Sequence, residues 1–114
     1  MATALDYFTA VPKRHNCAQA VIEAQGHPEL LDEMGCCGGG HAPEGLCGAL
    51  YAAMQAVPSH RRNALKIAFR EELGEVTCKD LKQKGISCRR CVEVADALAS
   101  TFREASVGKP PASL

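Results

Sequence analysis

The stretch Gly35–Leu50, GCCGGGHAPEGLCGAL, interrupts a chain that otherwise favours helices. Its sixteen residues include three cysteines, six glycines, one proline and one histidine. Glycine loses much backbone entropy in a regular element and proline lacks the amide donor, so both disfavour the interior of a helix or strand. We therefore predict a loop with a chemical role.

The loop leads into Leu46–Val57, LCGALYAAMQAV, an apolar and alanine-rich run of helical length. The pattern predicts a helix with Cys47 in its first turn. The free N–H groups and the dipole at the start of a helix favour a thiolate over a thiol. Cys47 is therefore a candidate for metal binding or redox chemistry.

The charge and hydropathy of the chain exclude several classes of function. The 114 residues carry 13 basic and 13 acidic side chains, so no overall field attracts nucleic acid or an anionic membrane. No apolar run approaches the ~20 residues that cross a bilayer. The N-terminal residues, MATALDYFTAVPKRHN, lack the basic start and apolar core of a signal peptide. We expect a cytoplasmic protein that binds neither nucleic acid nor membranes.

The seven cysteines are an unusually large share for a chain of this length, and their number is odd. A secreted disulfide scaffold pairs its cysteines evenly and is poor in helix signals. Helix signals run through this chain. We therefore predict that the thiols are ligands or redox groups, although any single one could be a small core residue.

Three short helices are predicted before the loop. Pro12 ends the first and Pro28 starts the third. Asn16 can cap the second with its side chain, and Gly26 can stop it. The predicted spans are 3–11, 17–24 and 28–34.

Three further helices are predicted after the run that begins at Leu46. The first covers 58–73 and is closed by Gly74. Thr77 caps a brief turn over 78–85, and Ser87 caps the last helix, 88–102. The basic side chains expected at the surface of the 58–73 helix are Arg61, Arg62, Lys66 and Arg70.

These elements predict an all-α fold, a compact bundle of about six or seven short helices around a cysteine-rich site. The sequence shows no alternating strand pattern, internal repeat or low-complexity tract. Residues 1–108 are expected to form a single helical redox or metal domain. Residues 109–114, which include Pro110 and Pro111, are expected to be a disordered C-terminal tail.

The cysteines occur repeatedly at one kind of position, the start of a predicted helix. Helix N-termini that converge on one point create a positive pocket that stabilises thiolates, and thiolates bind soft metals or attack disulfides. All seven are therefore candidate ligands of a cofactor or metal: Cys17, Cys47, Cys78 and Cys88 at helix starts, and Cys36, Cys37 and Cys91 in the loop or a first turn.

Four runs carry a family resemblance: NCAQAV (16–21), GLCGAL (45–50), CKDL (78–81) and CRRCV (88–92). Together they resemble the C_GCAxxG_C_C family, whose members are regarded as redox-active, and the likeness extends from about residue 5 to about residue 98. The family is similar to a domain that is also fused into split-Soret cytochromes. There the resemblance implies an iron–sulfur centre beside the haems.

Residues other than the cysteines also bear on the predicted site. No haem is expected, because Val92 follows Cys91 where covalent attachment requires His. His41 could ligate a metal or donate a hydrogen bond to cluster sulfur, although an exposed loop position explains it better. Glu44 and Glu72 could move protons, although a solvated helix face explains Glu72 equally well.

Three hypotheses of function follow. The first is a redox or electron-transfer protein in which four or more cysteines hold an iron–sulfur cluster of unknown type. The second is a thiol–disulfide oxidoreductase that uses Cys88 and Cys91, or Cys36 and Cys37. The third is a zinc-stabilised module without catalysis.

The adjacent pair Cys36 and Cys37 favours the cluster, because neighbouring side chains rarely ligate one tetrahedral ion but can bind different irons. A redox partner protein is then expected. The sequence is compatible with an enzyme and with a homodimer.

Overall fold

The computed structural model describes residues 3–9, 15–35 and 42–106. Within these ranges the prediction of an all-α bundle with six or seven helices is confirmed. Cys36, Cys37, His41 and the predicted tail 109–114 lie outside the described residues. The seven α-helices of the described residues are α1 Ala4–Phe8, α2 Cys17–Ala24, α3 Leu31–Met34, α4 Gly48–Ala56, α5 Arg62–Leu73, α6 Cys78–Gln83 and α7 Cys88–Ser106, and 3-10 turns span Pro28–Leu30, Pro43–Gly45 and Ser59–Arg61.

Helix α4 lies at the centre of the bundle, where it contacts α2, α5 and α7. Most of its residues are buried, and the buried ones are small apart from Leu50. Small side chains allow neighbouring helices to approach closely. Burial of a large aliphatic side chain such as Leu50 contributes on the order of 2 kcal/mol. The described residues include no helix with the length and apolarity of a membrane span.

Asn16 fixes the start of α2 and joins it to the end of α3. Its side-chain oxygen accepts a hydrogen bond from the Gln19 N–H at 2.7 Å, and the Gln19 side chain accepts one from the Asn16 N–H at 3.1 Å. The Asn16 side-chain amide also donates to the carbonyls of Met34 and Gly35, both at 3.1 Å. One side chain therefore caps α2 and holds the chain where the glycine-rich stretch begins.

Asp96 of α7 connects three helices near the opposite end of α2. Its carboxylate accepts hydrogen bonds from the Ala4 N–H at 3.2 Å and from the side-chain amide of Gln25 at 2.7 Å. Gln25 is buried and also donates to the Ser100 hydroxyl at 3.2 Å. These bonds fix how α1 and α2 lie against α7.

Two predicted helix boundaries are wrong. Helix α1 ends at Phe8, because both the amide and the hydroxyl of Thr9 donate to the carbonyl of Leu5 and close the last turn. Residues 10 and 11 of the predicted span lie outside the described residues. The third predicted helix is split into a 3-10 turn, Pro28–Leu30, and the single turn of α3.

The predicted exposure of the basic residues of the 58–73 helix is only partly correct. Arg70 is exposed, whereas Arg61, Arg62 and Lys66 are half-buried. The Arg62 guanidinium donates to the Met54 carbonyl at 2.8 Å and so satisfies one of the free carbonyls near the end of α4. This long-range bond explains why Arg62 turns towards the protein.

Replacement of Asn16 tests the link between α2 and α3. Asn16→Ala removes the cap and both donated bonds, and should lower the free energy of unfolding by about 2 kcal/mol. Asn16→Asp keeps the capping oxygen but loses the two donors, so it should cost about 1 kcal/mol. Urea unfolding followed by circular dichroism measures both. An Asp variant as stable as the natural protein would show that the bonds to Met34 and Gly35 contribute nothing.

Candidate functional site

Five of the seven cysteines lie within the described residues, and all five are free thiols. Cys17, Cys78 and Cys88 are the first residues of α2, α6 and α7, as predicted, and Cys91 lies in the first turn of α7. Cys47 immediately precedes α4 and does not lie in its first turn, so that detail of the prediction is wrong.

A backbone contact explains the position of Cys47. The Cys47 N–H donates to the Val76 carbonyl at 2.9 Å, next to an isolated antiparallel bridge between Leu46 and Thr77. The bridge holds Cys47 in an extended conformation and places the start of α4 beside the start of α6. No sequence pattern indicated this pairing, because each partner contributes only one or two residues.

Cys91 lies near the other described cysteines. Its thiol is hydrogen-bonded to that of Cys47 and interacts electrostatically with those of Cys88, Cys17 and Cys78. Cys17 interacts in turn with Cys47 and Cys88. We call Cys17, Cys47, Cys78, Cys88 and Cys91 the cysteine group.

Exposure differs across the cysteine group. Cys17, Cys47 and Cys91 are buried, with 8%, 5% and 3% of their surface accessible. Cys78 is half-buried and Cys88 is exposed. The group therefore has a dry interior and a side that solvent reaches.

Backbone N–H groups at helix starts face two of the buried sulfurs. The amides of Ala49 and Ala18 donate to the Cys17 sulfur. Those of Leu50 and Ala49 donate to the Cys47 sulfur. N–H groups at the start of α4 thus contact both sulfurs. The positions of the cysteines at helix starts predicted this arrangement.

Without a bound metal, these N–H groups do not convert Cys17 and Cys47 to thiolates. The expectation that a helix start favours the thiolate is therefore wrong for these two residues. Burial raises the pKa of Cys17 to about 11, and the neighbouring Cys47 and Cys88 add to the rise. The loss of hydration and the repulsion between sulfur anions outweigh the stabilisation from the amides.

The pair formed by Cys47 and Cys91 behaves differently. The hydrogen bond from the Cys47 thiol lowers the pKa of Cys91, although burial opposes the change. The same bond, followed by burial, raises the pKa of Cys47. Cys47 therefore holds its proton more tightly than an ordinary thiol and donates a hydrogen bond to the Cys91 sulfur, so the two thiols titrate as a pair.

The two carboxylates predicted to move protons lie in different places. Glu72 is exposed and forms an ion pair with Arg90 at 3.1 Å, so its carboxylate is engaged at the surface. Glu44 is exposed beside Cys78. Among the described residues, no three His, Cys, Asp or Glu side chains form a ready-made site for a single metal ion.

Comparisons of this chain with protein families, with curated proteins and with solved structures give no match.

The raised pKa of Cys17 predicts a pH-dependent stability of the reduced, metal-free protein. The folded thiol keeps its proton to about pH 11, whereas an unfolded thiol loses it near its ordinary pKa of 9.0. The folded state therefore binds more protons between these values. Its stability should fall there by about 1.4 kcal/mol per pH unit.

Urea unfolding between pH 8 and about pH 11 measures this slope for the natural protein and for Cys17→Ser. The variant lacks the thiol, so its stability should fall less steeply. Parallel profiles for the two proteins would show that Cys17 does not retain its proton.

Proposed function

We propose that this protein is redox-active and that its cysteine group holds an iron–sulfur cluster. The observation that supports the proposal is that α2, α4 and α7 pack together with cysteines at their starts. Soft thiolates are the donors that iron–sulfur clusters and zinc prefer. The chemistry of this donor set therefore fits a cluster.

Four of the cysteines are the best candidates for ligands. Cys17, Cys47, Cys88 and Cys91 lie at the starts of these three helices, whereas Cys78 begins α6. We assign the cluster to this set, Cys17, Cys47, Cys88 and Cys91, because four thiolates complete the usual ligation. Cys78 is then a fifth thiol at the edge of the site.

Electrostatics give a reason for a cation at this place. Thiolates at Cys17 and Cys47 would lack water and would repel their neighbours. Burial raises the pKa of Cys17, and the hydrogen bond to Cys91, followed by burial, raises that of Cys47. Coordination to a metal deprotonates a thiol outright, since the positive charge offsets both costs.

The surrounding residues would tune a bound cluster. When bound, such a cluster supplies one-electron transfer. The amides of Ala18, Ala49 and Leu50 would donate to the ligand sulfurs, and such bonds together with burial set the reduction potential. The exposed Cys88 provides a side from which a partner could exchange electrons.

Thiol–disulfide exchange is a second candidate, and the contact between Cys47 and Cys91 favours it. A thiol and the sulfur to which it donates a hydrogen bond form a pair that an oxidant can convert to a disulfide. This pair differs from the predicted Cys88–Cys91 and Cys36–Cys37 pairs. A zinc-stabilised module would use the same four thiolates as the cluster.

The resemblance to the C_GCAxxG_C_C family points to the same redox function and stays a prediction. We expect a redox partner protein. We also expect a location in the cytoplasm, where thiols stay reduced.

Purification without oxygen tests the proposed function. We expect a brown protein that contains iron and acid-labile sulfide, measured by visible absorption and by analysis of metal and sulfide. Cys91→Ser should lose most of the iron, because a hydroxyl is a poor soft-metal ligand. Cys78→Ser is the matched control and should keep most of it.

Other outcomes would contradict the cluster. A colourless protein with about one zinc per chain would support the structural module. A metal-free protein whose Cys47 and Cys91 form a disulfide reversibly would support thiol exchange. Normal iron content in Cys91→Ser would refute the assigned ligands.

A further inference from the structure

A surface cleft of about 510 Å³ lies beside the cysteine group, where α6 begins. Glu44 and Gly45 line it on the side of the 3-10 turn, and Thr77, Cys78 and three charged residues of α6 complete it. Its volume is within the range of about 300–1,000 Å³ that is typical of small-molecule sites. The half-buried Cys78 lines this cleft and also interacts electrostatically with the buried Cys91.

The cleft carries charges of both signs. Lys79 and Lys82 are three residues apart on α6, so they share a face of the helix. Glu44 and Asp80 supply two carboxylates. The neighbouring Lys84 is paired with Glu75 at 3.5 Å, whereas no ion pair within the described residues engages Lys79 or Lys82.

This lining selects a class of ligand. The two lysines can pair with carboxylates of a ligand, and Glu44 and Asp80 can pair with its ammonium group. A polyanion such as nucleic acid would be repelled by Glu44 and Asp80. The fitting ligand carries carboxylate and ammonium groups together, as amino acids and small peptides do.

The thiol of Cys78 adds the reactive group. We propose that the cleft binds a small zwitterionic disulfide of the amino-acid or peptide type and exchanges it with Cys78. The Cys78 thiolate attacks one sulfur of the disulfide, a new S–S bond to Cys78 forms, and the second half leaves as a thiolate. The small disulfide is the oxidant, and excess thiol reverses the step.

The inference goes beyond the proposed cluster. Cys78 is outside the four assigned ligands, and the exchange requires no iron. The two proposals can therefore fail separately, because iron content and modification of Cys78 are measured on the same sample.

The test uses the full chain, purified without oxygen, and glutathione disulfide as the probe. Neutral 2-hydroxyethyl disulfide is the reference, since it reports the reactivity of the thiol without the charged contacts. Mass spectrometry of peptides gives the initial rate of modification at Cys78 for each reagent. We expect glutathione disulfide to modify Cys78. The initial rate should reach a maximum as the concentration of glutathione disulfide rises.

Charge reversal tests the role of the lysines. In the double variant Lys79→Glu/Lys82→Glu, the ratio of the glutathione rate to the neutral rate at Cys78 should fall about tenfold. The matched control, Lys66→Glu/Arg70→Glu on α5, makes the same change of charge away from the cleft. It should leave the ratio within about twofold.

Three results would overturn the proposal. One is a rate ratio that the double variant in the cleft leaves unchanged. Another is an equal fall of the rate ratio in the control variant on α5. The third is glutathione attached to other cysteines while Cys78 stays unmodified.

Discussion

The close approach of helices around α4 is the constraint on which the site depends. Alanine occupies four of the buried positions of α4, and α2 and α7 pack against this helix. Larger side chains would separate the axes and move the first turns of α2 and α7 apart. Cys17, Cys88 and Cys91 lie in those turns, and Cys47 immediately precedes α4. The small residues of α4 therefore position the cysteines as well as filling the core.

Close packing also creates the electrostatic character of the site. The same burial that brings the sulfurs together removes the water that would solvate their anions. Amides at the start of α4 compensate in part, but the pKa of Cys17 still rises to about 11. Cys91 alone has a lowered pKa among the thiols that shift, because Cys47 donates a hydrogen bond to it. A positive centre would stabilise all of these sulfurs together, and for this reason we favour a metal cluster over isolated thiols.

Local signals predicted most of the fold, whereas contacts between distant residues decided the rest. Asn16, Thr77 and Gly74 act at the predicted helix ends, because caps depend on neighbouring residues only. The placement of cysteines at helix starts was also predictable from these caps. The bridge between Leu46 and Thr77 was not, since a single pair leaves no periodic pattern. The effect of burial on the thiols also needed the packed structure.

The number of sulfur atoms around a bound metal tests the central claim most directly. A Cys36→Ser/Cys37→Ser variant leaves only the five cysteines of the cysteine group, and it is purified without oxygen. X-ray absorption at the iron edge then counts the sulfurs and the other irons around each iron. Our account predicts about four sulfurs per iron together with neighbouring irons, because cysteine thiolates and bridging sulfide complete each iron of a cluster. A shell of oxygen or nitrogen with two sulfurs or fewer would show that the thiols do not converge on one centre.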